Sequence, residues 1–92
     1  MLRISIVNES DDSICFQLEG SLIGPWVGEL RRLSEKALGE SKTIALDLAR
    51  LRYVDLEGAV LLRDLAEKRV AQFNCSPFIR QHLEEGHLWA LR

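Results

Sequence analysis

Residues 47–62, Asp-Leu-Ala-Arg-Leu-Arg-Tyr-Val-Asp-Leu-Glu-Gly-Ala-Val-Leu-Leu, connect a predicted strand to a predicted helix. Residues 43–48 are apolar enough for a covered strand, and the leucines and alanines of residues 59–66 recur at helical spacing. Asp55 lies where its carboxylate can accept a backbone N–H of the first helical turn, and Glu57 adds a negative charge at the positive end of the helix dipole. The stretch therefore predicts an exposed, acidic helix start beside the carboxyl end of a strand, where α/β proteins usually bind ligands and partners.

Length and charge restrict the class of protein. The 92 residues predict a single domain over 1–92, and a net charge of -2 gives no reason to expect nucleic acid or an anionic membrane as a partner. Residues 1–7 lack the apolar core and cleavage site of a signal peptide, and no run approaches the roughly 18 apolar residues of a membrane span. We therefore expect a cytoplasmic protein that does not insert into a membrane.

The first 40 residues predict a hairpin and a helix. Residues 2–7 and 14–19 alternate apolar and polar side chains, which predicts two antiparallel strands, the second ending at Gly20. Pro25 suits the first position of a helix, and Gly39 is the expected stop. The apolar stripe of this helix comprises Val27, Leu30, Leu33, Ala37 and Leu38, and Trp26 beside it is interpreted as a packing residue.

The second half predicts two crossovers and a third helix. Because the strand at 43–48 lies between two helices, parallel pairing is expected, with the second helix running from about Leu56 to Val70. Residues 69–75 contain no glycine for a turn, so the last strand should be short, and Ser76 with Pro77 predicts a helix that continues to about residue 85. The predicted fold is α/β, in the order ββαβαβα, with a mixed four-stranded sheet covered by helices mainly on one face.

The sequence gives little indication of a catalytic or a metal-binding site. Cys15 and Cys75 are interpreted as two buried free thiols, and His82 and His87 lack a cluster of ligands. Asp55 and Glu57 could form an acid and base pair, but no His, Ser or Lys constellation accompanies them. We predict no enzyme activity, no metal and no cofactor. Residues 88–91, if exposed, are a candidate homodimer contact.

Three motifs in order resemble the STAS domain, the family of bacterial anti-sigma-factor antagonists. They are Leu-Glu-Gly-Ser-Leu at 18–22, Ala-Leu-Asp-Leu at 45–48 and Tyr-Val-Asp-Leu-Glu-Gly at 53–58. The resemblance covers nearly the whole chain and implies a small, non-enzymatic protein-interaction module of signal transduction and transcription regulation. Its sheet is expected to be covered by helices largely on one side.

The resemblance also implies a partner-binding site at Asp55, Leu56, Glu57 and Gly58. In regulatory family members an Asp-Ser-Ser/Thr-Gly motif presents a hydroxyl just before the glycine, and an anti-sigma factor with serine-kinase activity phosphorylates it. Asp55 and Gly58 match that motif, whereas Leu56 and Glu57 replace its two hydroxyl positions, so that Glu57 occupies the phosphosite-equivalent position. Ile23 and the short passage at 69–75 are two further departures from the family pattern.

Two interpretations of Glu57 are open. In one, its carboxylate partly mimics a phosphoryl group, with about one negative charge against roughly 1.5 to 2. In the other, Glu57 only stabilises the helix start through the dipole, by about 0.3–1 kcal/mol.

Two partner hypotheses follow from the resemblance. The first is a regulatory, kinase-type anti-sigma factor, bound without a switch at position 57. The alternative is a role as an accessory subunit of an ABC transport assembly, docked on its ATPase.

Overall fold

The fold consists of the predicted elements in the predicted order. The computed structural model describes residues 1–77 and 79–81. Its elements are β1 (Leu2–Glu9), β2 (Ser13–Leu22), α1 (Pro25–Gly39), β3 (Thr43–Val54), α2 (Leu56–Glu67) and β4 (Ala71–Phe73), followed by helical backbone at 77 and 79–81. The predictions for His82, His87, residues 88–91 and the end of the third helix lie outside the described residues.

The sheet is mixed, as predicted, and its strands follow the order β1-β2-β3-β4. β1 and β2 form an antiparallel hairpin, while the β2–β3 and β3–β4 pairs are parallel. Right-handed crossovers that advance in one direction across a sheet place both connecting helices on the same face. The burial pattern agrees, because Ile14, Phe16 and Leu18 of β2 are buried and the residues between them are half-buried.

The core lies between this face and the helices. From α1 it takes Val27, Leu30 and Ala37, whereas Leu33 and Leu38 of the predicted stripe are only partly buried. Trp26 packs against the core as predicted, also partly buried. Ser34 was not expected there, yet its hydroxyl is fully buried and has no hydrogen-bond partner among the described residues.

Strands β2 and β3 both run further than predicted. β2 does not end at Gly20 but continues to Leu22, because the glycine, at φ 104°, lets the chain pass closely beside the amino terminus. A Cβ at Gly20 would lie 2.5 Å from the Met1 carbonyl oxygen, which accepts the Ser21 N–H. β3 continues past Leu48 to Val54, paired with the extended end of β2 through two register shifts.

α1 and α2 are each followed by a residue other than glycine in the left-handed conformation. α1 ends at Gly39 as predicted, but Ser41, at φ 60°, supplies the left-handed residue that follows. α2 ends at Glu67 rather than Val70, because Arg69 turns the chain at φ 68°. The last strand, β4, is three residues long, so the prediction of a short strand is confirmed.

Ser76 caps the third helix as predicted. Its hydroxyl accepts the Ile79 N–H at 3.2 Å, and Ile79 is fully buried. Cys15 and Cys75 are free, but both are half-buried rather than buried. Burial raises the pKa of each thiol, which disfavours the reactive thiolate.

Candidate functional site

Asp55 fixes the starts of both helices with one carboxylate. Its Oδ1 accepts the Gly58 N–H at 2.7 Å, the expected cap of α2. Its Oδ2 accepts the Gly24 N–H at 3.0 Å, directly before α1. The backbone N–H of Asp55 in turn donates to the Leu22 carbonyl at 3.2 Å. Asp55 is therefore a positioning residue that holds the loop before α1 against the start of α2.

Gly58 is required by close packing rather than by backbone conformation. A Cβ at this position would lie 2.5 Å from the Leu22 carbonyl oxygen and 3.2 Å from Asp55 Oδ1. Gly58 is buried, and no side chain there could reach a partner without moving the end of β2. Of the four residues predicted to bind a partner, Asp55 and Gly58 thus build the scaffold.

Leu56 and Glu57 are the two residues that the scaffold displays. Both residues are exposed in the first turn of α2, and Leu56 is 53% exposed. Glu57 forms no ion pair within residues 1–77 and 79–81. The structure therefore presents an apolar and an acidic side chain next to each other at the positive end of a helix dipole.

A groove of about 480 Å³ lies beside these two residues, between the first turns of α1 and α2. Its apolar wall comes from Val27 and Val60 together with Leu56, and its charged side chains are Arg31 and Glu57. Gly24 and Gly28 complete the lining on the α1 side.

The sequence analysis missed the α1 side of this groove. The available signal was the pair Gly24 and Gly28, which are four residues apart and so lie on one face of a helix start. Gly28 occupies a helix interior, where glycine is about 0.8–1 kcal/mol less favourable than alanine. The contact from Gly24 to Asp55, by contrast, joins residues 31 apart and has no local signature.

The Leu-Asp-Leu motif at the middle of β3 has a structural role. Asp47 Oδ1 accepts the Ala49 N–H at 3.0 Å and the Asn74 side-chain amide at 3.2 Å, which links β3 to the end of β4. The bond from Ala49 is the largest of the effects that lower the pKa of Asp47 below its ordinary value of 3.8. Like Asp55, Asp47 therefore uses its carboxylate to accept hydrogen bonds from N–H groups of the chain itself.

Within the described residues there is neither a metal-binding cluster nor a membrane-spanning helix. No group of three or more His, Cys, Asp or Glu side chains in that part of the chain is arranged to hold a metal ion. None of the helices described reaches the length and apolarity needed to cross a membrane.

A four-stranded mixed sheet with its helices on one face, and a second helix that starts at Asp-x-x-Gly, defines a STAS-like fold. Among solved structures, the chain is similar to the unphosphorylated anti-sigma factor antagonist SpoIIAA, with a TM-score of 0.66 and 22% identity over 89% of this chain and 82% of that chain. It is also similar to an uncharacterized DUF3478-family protein from Shewanella loihica PV-4 with a SpoIIAA-like fold, with a TM-score of 0.57 and 20% identity over 96% and 78% of the two chains. No protein-family model and no curated protein matches the sequence. These likenesses confirm the predicted fold, and the roles of the site residues rest on the geometry described above.

Proposed function

We propose that the chain is a non-enzymatic protein-interaction module of the cytoplasm that binds a regulatory, kinase-type anti-sigma partner through the start of α2. The observation that carries this proposal is the division of labour within residues 55–58. Asp55 and Gly58 face inward and are held by packing and hydrogen bonds, while Leu56 and Glu57 face solvent. An exposed leucine offers apolar surface, and a carboxylate that forms no ion pair with the described residues offers a charge for electrostatic complementarity to a protein partner.

Glu57 makes the proposed interaction insensitive to phosphorylation at this position. A carboxylate has no hydroxyl that can accept a phosphoryl group, and its charge is present whether or not a kinase acts. Ser34, one of the remaining serines, has a fully buried hydroxyl and is inaccessible in the folded chain. The module is therefore proposed to bind its partner without a switch at position 57.

Affinity purification from the source cell tests the contact. The tagged native chain would be compared with Leu56→Asp and Glu57→Lys, and with Val7→Asp as a control, since Val7 is exposed to 52% on β1 and Leu56 to 53%. We expect both α2 variants to lose a kinase-type partner that the native chain and the control retain. Equal recovery of that partner with all four chains, or co-purification with a membrane-associated transport ATPase instead, would contradict the proposal.

A phosphorylation assay tests the absence of a switch. The native chain and Glu57→Ser would each be incubated with ATP and the recovered partner, and their intact masses measured. We expect added phosphate on Glu57→Ser only. Phosphate on the native chain would show that regulation operates at another residue.

A further inference from the structure

The groove between the starts of α1 and α2 is lined by regularly spaced residues of both helices. On the α1 side, Gly24 directly precedes the helix, and Gly28 and Arg31 lie on it three residues apart; on α2, Leu56 and Val60 are four apart. Each wall is therefore a row along one helix face. Two such rows with a depression between them form a groove into which the side chains of another helix can pack.

Nothing in the part of the chain that the structure describes requires a glycine at position 28. Its backbone is helical, and a Cβ at this position would meet no atom of the described residues within 4 Å. Gly58 and Gly20, in contrast, are each needed for a close approach to backbone, and Gly24 has a positive φ of 55°. An unfavourable glycine in the first turn of α1 that lines an open groove leaves room for the backbone of a bound segment to approach α1 closely.

Opposite charges flank the groove. Arg31 lies on the α1 side and Glu57 on the α2 side, and neither forms an ion pair within the part of the chain that the structure describes. Two other pairs of charges on these helices do form ion pairs, Arg32 with Glu29 at 2.6 Å and Arg63 with Glu67 at 3.7 Å. The two flanking charges are therefore available to a bound segment.

We infer that this groove binds an amphipathic α-helix of the partner protein, which carries an acidic flank toward Arg31 and a basic flank toward Glu57. Apolar side chains of that helix would pack against Val27, Leu56 and Val60, in the helix-in-groove mode of recognition. A polypeptide fits better than a small molecule, because no lining residue is a buried polar side chain that could orient a small ligand. This inference rests on the proposed function and specifies the partner's contact element.

Synthetic peptides of defined charge provide the probe. Three helical peptides of about four turns would share one leucine stripe and carry Lys on one flank and Glu on the other, Lys on both flanks, or Glu on both flanks. Fluorescence anisotropy at low salt gives Kd, and amide chemical shifts locate binding. We expect the mixed peptide to bind about threefold tighter than either single-charge peptide, with shifts at Gly28, Leu56 and Glu57.

Variants of the chain test each part of the inference. Gly28→Leu fills the groove and should weaken binding of the mixed peptide at least about tenfold, while Gly39→Leu on the same helix, which also has open space, should not. Arg31→Glu should shift preference to the peptide with two Lys flanks, and Glu57→Lys to the peptide with two Glu flanks. Urea unfolding would verify that both leucine variants remain folded.

Several results would overturn the inference. They are the absence of binding up to about millimolar peptide, chemical shifts confined to another surface, equal binding to Gly28→Leu, or a peptide preference that neither charge variant changes. Failure here combined with loss of the cellular partner in Leu56→Asp would leave the proposed function standing without a helical contact. Peptide binding combined with equal partner recovery by all chains would instead remove the proposed function.

Discussion

The two helices begin next to each other but are held in different ways. α2 begins at an Asp that caps its own first turn, with Gly58 as the donor three residues on. α1 begins at Gly24 and Pro25, has no side-chain cap of its own, and has its Gly24 N–H bound by the Asp55 of the other helix. A helix start can therefore be stabilised by a residue within the same segment or by a residue far along the chain. Here the carboxylate of Asp55 does both, for α2 and for α1 respectively.

The largest expected effect is at the α2 start. Gly58→Ala places a Cβ against the Leu22 carbonyl oxygen, so the end of β2 must move, and we expect a loss of about 2–3 kcal/mol in the free energy of unfolding. Urea unfolding measures it. Gly39→Ala is the matched control because its Cβ would meet nothing within 4 Å. Equal stability of Gly58→Ala and the native chain would show that the close approach is relieved at no cost.

Substitutions of Asp55 distinguish its contribution to the start of α1 from its contribution to the start of α2. Asp55→Ala removes both acceptors and should lower the free energy of unfolding by about 2 kcal/mol, with faster amide exchange at Gly24 and Gly58 together. Asp55→Asn keeps one acceptor oxygen, so only one of the two amides should lose protection and about half the effect should remain. If both amides remained protected in Asp55→Ala, the shared carboxylate would not be what holds the two starts.

Two glycines near the start of α1, Gly24 directly before the helix and Gly28 within it, should respond to substitution in opposite directions. Gly24→Ala meets no atom within 4 Å but must adopt φ 55°, ψ -130°, so we expect it to destabilise the chain by about 1–2 kcal/mol. Gly28→Ala also meets no atom but has helical backbone, and should stabilise by about 0.8–1 kcal/mol. Thermal unfolding of the two variants side by side measures both. The same sign of change in both would mean that backbone conformation is not the deciding factor.

The smallest expected effect concerns a carboxylate away from both helix starts. Because the folded chain lowers the pKa of Asp47, its contribution to stability is present above the ordinary value of 3.8 and is lost as the pH falls through the folded value. Asp47→Asn should therefore reduce the fall in unfolding free energy between about pH 5 and about pH 3. Urea midpoints at the two pH values give the difference. An identical fall in both chains would show that Asp47 is not among the groups responsible.

The features that were predicted correctly have local causes. The hairpin follows from alternation in residues 2–7 and 14–19, and the α2 start follows from Asp55, because an N-cap and its donor are three residues apart. The extension of β3 to Val54 was missed, because Arg50 and Arg52 interrupt the apolar run and the pairing with β2 involves two register shifts. Bulges of this kind depend on the neighbouring strand, which a local pattern does not contain.

The candidate site shows the same limit. The resemblance assigned residues 55–58 to one partner-binding motif, whereas the geometry separates two scaffold residues from two displayed ones. Only the position of the Leu22 carbonyl shows why residue 58 is a glycine. Arg31 and Gly28 line the groove because α1 and α2 lie next to each other. That adjacency results from the crossover topology, and the sequence of neither helix contains it.

The shared carboxylate of Asp55 also has a consequence for the kinetics and thermodynamics of association. Since it ties the two sides of the groove together before any partner arrives, neither helix start has to become ordered on binding. The entropy lost on complex formation is then confined mainly to the partner and to a few surface side chains. A surface that is organised in advance should bind without a slow rearrangement, at a rate set by diffusion and orientation of about 10⁵–10⁷ M⁻¹s⁻¹, so that differences in affinity among partners would appear mainly as differences in the lifetime of the complex.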